Sequence, residues 1–83
     1  MSEANGDVRA LVEHVARALV EAPNEVIVEA FDEDGATVVE LEVAESDMGR
    51  VIGRQGRTAR AMRNLLHAIG DKHDCDYELE ILE

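Results

Sequence analysis

Two helical periodicities meet at Gly53-Arg54-Gln55-Gly56, and the chain must turn sharply there. On the N-terminal side, Ser46 is placed to cap a short helix over residues 47–52 that stops at Gly53. On the C-terminal side, Ala59, Met62, Leu66 and Ile69 recur at helical spacing and predict a longer helix over 57–69, ended by Gly70. Arg57, Arg60 and Asn64 fall on a different side of that helix. A glycine pair at this spacing is weak alone: with glycine near 7% of residues, chance supplies one in roughly 0.4 of chains this long. Its position between two helices is what gives it weight.

The remaining periodicities set the frame around this turn. Val8, Leu11, Val12, Val15 and Leu19 predict an amphipathic helix over 7–21, with Asn5 or Asp7 as its cap and Pro23 as its end. Residues 25–31, rich in β-branched side chains, read as a strand, and Asp32-Glu33-Asp34-Gly35 as a turn. In Thr37–Val43 the apolar Val39, Leu41 and Val43 alternate with Glu40 and Glu42, the pattern of a strand buried on one face. Cys75, Tyr77, Leu79 and Ile81 alternate in the same way with Asp76, Glu78 and Glu80, which points Cys75 inward. The order is helix, strand, strand, short helix, helix, strand. That is an α+β domain with a three-stranded sheet, helices on one face and acidic side chains on the other.

Charge is distributed unevenly over this frame. The 83-residue chain has a formal charge of −11, yet residues 48–70 contain Arg50, Arg54, Arg57, Arg60 and Arg63 and no Asp or Glu. That segment stands alone as a basic island in an acidic chain. The 46% hydrophobic content argues against a disordered acidic tail, and no apolar run is long enough to cross a membrane. Met1-Ser-Glu-Ala-Asn-Gly-Asp7 lacks the basic start and apolar middle of a secretory leader. The lone Cys75 forms no internal disulfide, so the expectation is a small cytoplasmic domain. A core built with only Phe31 and Tyr77 as aromatics makes oligomerisation a reasonable expectation too.

Several chemistries find no support. His67, Asp71, His73 and Cys75 do not have the spacing of a four-ligand zinc site. No Ser/His/Asp or Cys/His set suggests an enzyme, and the glycine turn lacks the Lys-Ser/Thr of a phosphate-binding P-loop. No aromatic pair is displayed on a strand to stack bases, as an RRM requires. What the turn can do is clamp a sugar–phosphate chain. Two glycines allow close backbone approach, the amides opening the following helix favour an anion, and Arg54 and Arg57 add charged donors. Val51 and Ile52 are placed to form an apolar wall for bases.

The segment Val51-Ile-Gly-Arg-Gln-Gly-Arg-Thr-Ala-Arg-Ala-Met62 resembles the signature of KH domains, and the element order is similar to the bacterial type II form of that fold. With Leu11–Val20 and Asp47-Met-Gly-Arg50, the likeness extends over essentially the whole chain, to the small stand-alone bacterial KH proteins of the KhpA type. The resemblance implies one KH domain over 7–83 after a flexible stretch at 1–6. It also implies binding of about four nucleotides of single-stranded RNA. The residues implied are Gly53, Arg54, Gln55 and Gly56, with Arg50, Val51, Ile52, Arg57, Thr58 and Arg60 around them. No cofactor and no metal are expected, and the resemblance implies a post-transcriptional or cell-division role, as a regulator or RNA chaperone. The implied assembly is a homodimer or a pair with a larger Jag-like KH protein (KhpB). The competing reading is a dimerisation or partner-docking module with little RNA affinity of its own.

Overall fold

The computed structural model describes residues 3–83, with side-chain surroundings from residue 6 onward. Helix α1 (Glu3–Leu19) is followed by a hairpin of β1 (Ile27–Glu33) and β2 (Ala36–Glu42), then by α2 (Met48–Ile52), α3 (Arg57–His73) and β3 (Tyr77–Ile81). The sheet order is β1-β2-β3, antiparallel between β1 and β2 and parallel between β2 and β3. A parallel pair needs a crossover, and α2 with α3 provides it, which leaves β3 as an edge strand. The α+β, three-stranded mixed sheet expected from the sequence is the one observed.

The core lies between the helices and one face of the sheet. Val28, Val39, Leu41, Tyr77 and Leu79 point into it from the strands, Val8, Val12 and Ala16 from α1, and Ala59, Met62 and Leu66 from α3. The opposite face carries Glu29, Glu40 and Glu80, aligned directly across the three strands. Three like charges in one cross-strand row repel one another, and their proximity to water makes this tolerable.

The structure corrects several boundaries. Helix α1 begins at Glu3, so neither Asn5 nor Asp7 is its cap, and the stretch taken as flexible is helical from residue 3; residues 1 and 2 lie outside the described residues. Leu19, placed in the apolar stripe, is 36% exposed, while Ala16 is fully buried, because small Ala16 lies where α1 meets its neighbours. Strand β1 runs on to Glu33, and the turn shortens to Asp34 and Gly35, whose φ values of 51° and 86° make a type I′ hairpin turn. Ser46 makes no capping hydrogen bond; it sits within a 3₁₀ turn, Glu45–Asp47.

Gly70 does not end α3. It is buried inside the helix, and the chain leaves at Asp74, whose φ is 58°. The Cys75 N–H then donates to the Gly70 carbonyl at 2.8 Å. Cys75 itself is exposed rather than inward, since β3 starts two residues later, at Tyr77.

Candidate nucleic-acid interface

Five residues of α2 are too few to make a stable helix alone, so the turn that follows is held by local geometry. The Gly53 N–H closes α2 on the Gly49 carbonyl at 2.9 Å, and the Gly56 N–H closes a 3₁₀ turn on the Gly53 carbonyl at 3.1 Å. The two glycines are there for different reasons. Gly53 has φ 79° and ψ 170°, and a β-carbon on it would overlap the Thr58 side chain and stand 2.8 Å from the Thr58 backbone nitrogen. Gly56 is left-handed at φ 74°, ψ 14°, with nothing within 4 Å of the position a β-carbon would take.

Between them Gln55 is also left-handed, at φ 56°, ψ 26°. Arg57 Nη2 donates to Gln55 Oε1 and Arg60 Nη2 to the Gln55 carbonyl, each at 3.4 Å. The first turn of α3 thus braces the tip of the loop. The Arg54 and Gln55 amides belong to exposed residues at the loop tip. They open the turn that runs into α3, where the helix dipole favours an anion.

Beside the loop lies a cleft of about 470 Å³. It is lined by Met48, Ile52, Gly56 and Ala59, by Arg60 and Arg63, by Ile81 of edge strand β3, and by one carboxylate, Glu83. Apolar lining with two guanidinium groups against one carboxylate suits bases, with phosphates on the arginine side. Arg63 reaches across to β3, its Nε donating to the Leu79 carbonyl at 3.4 Å. Its partner is thus a strand carbonyl, and the side chain also takes a place in the cleft.

Electrostatics single out the same region. Arg9 and Arg17 both pair with Glu13, at 3.5 and 3.6 Å, and Arg50 pairs with Asp47 and Glu21. Arg54, Arg57, Arg60 and Arg63 have no carboxylate partner among the described residues. In a chain of charge −11, four unpaired guanidinium groups around one loop and cleft form a local anion site.

The sequence-derived site residues are therefore brought together unequally. Gly53, Arg54, Gln55, Gly56, Arg57 and Arg60 form one continuous surface, with half-buried Ile52 entering the cleft and Thr58 packed under Gly53. Val51 is the correction: it is fully buried in the core and presents no surface to a base. Arg50 is drawn toward α1 by its two carboxylates. Arg63, Ala59 and Ile81 enter the site unforeseen; for Arg63, one helical turn beyond Arg60 in the basic segment, spacing was the available signal. No cluster of three metal-ligating side chains occurs among the described residues.

A family model described as KhpA/KhpB, KH domain matches residues 9–81, which includes the loop, the cleft and all three strands. The chain belongs to this KH-domain family. It is similar to the RNA-binding protein KhpA of Halalkalibacterium halodurans, 43% identical over 75 residues, covering 90% of this chain and 99% of the relative. The RNA-binding protein KhpA of Treponema pallidum is 44% identical over 73 residues, covering 88% and 91%. That of Listeria monocytogenes is 41% identical over 73 residues, covering 88% and 96%. These KhpA relatives match the whole domain rather than the loop motif alone.

Proposed function

We propose that this protein binds short single-stranded RNA, with phosphates at the Gly53–Gly56 loop and bases in the adjoining cleft. The observation that carries this reading is the set of arginines without a carboxylate partner among the described residues: Arg54 and Arg57 at the loop, Arg60 and Arg63 lining the adjoining cleft. The names of the KhpA relatives support the same ligand. About four nucleotides fit a loop of this kind. Each phosphate contact adds roughly 0.7 to the slope of log affinity against log salt, so binding is weak and salt-sensitive. The acidic outer sheet face repels RNA and leaves the arginine side as the productive one. The role is binding, as a post-transcriptional regulator or RNA chaperone in the cytoplasm.

A second reading coexists with it. Leu65 is 44% exposed on α3 and lies beside Leu11 and Val15 of α1, an apolar seam away from the loop. This seam supports self-association or pairing with a larger KH protein, which would present two loops to one RNA and raise affinity through effective concentration.

The test is binding of a fluorescent single-stranded RNA pool at two salt concentrations, with light scattering, for wild type and Arg54→Asp/Gln55→Asp. Salt-sensitive binding that the variant loses, with mass unchanged, is the expected result. Equal binding by both proteins would refute the loop as the working site. No binding by either, with a stable dimer, would favour the docking module.

A further inference from the structure

One buried carboxylate lies outside the binding surface and is not accounted for by it. Asp47 is only 2% exposed, at the last residue of the 3₁₀ turn that enters α2. Its Oδ1 accepts the Glu21 N–H and its Oδ2 the Ala22 N–H, both at 3.1 Å. Arg50 Nε stands 3.4 Å from Oδ1, and Arg50 Nη2 also bonds Glu21 Oε1. A carboxylate is buried this deeply only when its oxygens are met by donors, and here two amides and a guanidinium meet them.

These contacts join parts of the chain 25 and 26 residues apart in sequence. They fasten the link leaving α1 to the residue before α2. Since α2 is a single short helix, its placement is set by what holds its ends. Asp47 holds one end; the other is Gly53, where the loop begins. A shift of α2 would move Ile52 in the cleft and Gly53 against Thr58 together.

We propose that Asp47 is a positioning residue of the RNA-binding loop, fixing α2, and through it Gly53–Gly56 and Ile52, against the end of α1. Arg50 then serves as a strut of this network. The proposal rests on the loop being the RNA site, and its test separates the two.

Asp47→Asn keeps the shape and one acceptor oxygen, sets an NH2 against the Ala22 N–H, and removes the charge that holds Arg50. The comparison is with Val28→Ala, a core change in β1 that loosens the fold without touching the network. Both are followed by backbone amide spectra and RNA binding at a temperature where all are folded. The expected result is that Asp47→Asn displaces the Gly53–Gly56 amides and weakens RNA binding about tenfold, the size of one lost positioning hydrogen bond. Val28→Ala leaves both unchanged.

Unmoved loop amides in Asp47→Asn, or the same losses in Val28→Ala, would overturn the proposal. If wild type itself bound no RNA, the RNA reading would fail while the amide comparison still decided the positioning role. Should Asp47→Asn not fold, Arg50→Gln, at the exposed end of the network, takes its place: displaced loop amides support the role and unmoved ones overturn it.

Discussion

Alanine substitution at the two loop glycines should give unequal costs, and the structure sets their order. At Gly53, φ 79° with ψ 170° is a region essentially reserved to glycine, so a side chain there costs about 1–3 kcal/mol in backbone strain alone. The added methyl would also stand 2.8 Å from the Thr58 backbone nitrogen, which belongs to α3 and cannot rotate aside. At Gly56 the conformation is ordinary left-handed with open space around it, which costs about 1–2 kcal/mol. The total stability of an 83-residue domain is about 4–12 kcal/mol, so both variants can fold. With a urea m-value of about 1 kcal/mol/M, Gly53→Ala should lower the midpoint by about 3 M and Gly56→Ala by about 1–2 M. Urea unfolding followed by circular dichroism measures both. Thr58→Ala in the Gly53→Ala background should restore only part of the loss, because the backbone overlap remains. A Gly56→Ala variant as damaging as Gly53→Ala, or more so, would refute this account of the loop.

Tyr77 is fully buried and its hydroxyl meets no hydrogen-bond partner in good geometry, so Tyr77→Phe should leave stability unchanged or raise it by about 1 kcal/mol. Burial first, then the Cys75 side chain and the Asp7 charge, raise the Tyr77 phenol above its ordinary 10.0. Its contribution to stability is therefore complete below pH 10.0 and lost as pH rises through the raised value, and alkaline denaturation should move to higher pH in Tyr77→Phe. Glu40 stands between Glu29 and Glu80 in the cross-strand row, so Glu40→Lys should stabilise by roughly 0.2–1 kcal/mol per opposite-charge pair formed. That gain should shrink in high KCl, while the wild-type melting temperature rises with KCl; a wild-type melting temperature indifferent to salt would contradict the repulsion.

Elements with a complete local period were legible in the sequence. The alternation of Val39, Leu41 and Val43 gave β2 its buried face, and Ala59, Met62 and Leu66 gave α3 its own, because burial on one side of a regular element leaves a repeating trace. Gly70 was misread because a glycine late in a helix looks the same whether it ends the helix or admits a close neighbour. Here a β-carbon would lie 2.6 Å from the Cys75 carbonyl oxygen. Val51 and Ile52 are adjacent on a five-residue helix, too short a span for periodicity to say which is core and which lines the cleft. The Asp47 network joins residues far apart in the chain, and Arg63 finds a partner on a strand 16 residues away. Contacts of that kind follow from the assembled fold and leave no local pattern.

The central claim is that RNA enters the cleft beside Gly53–Gly56. Backbone amide shifts of the isotope-labelled protein, titrated with a four-nucleotide single-stranded RNA, test it directly. The account predicts the largest shifts at Gly53 to Thr58, Arg60, Arg63 and Ile81, with Glu29, Glu40 and Glu80 on the outer sheet face unmoved. Shifts centred on that sheet face, or on the Leu11–Leu65 seam with a silent loop, would contradict it.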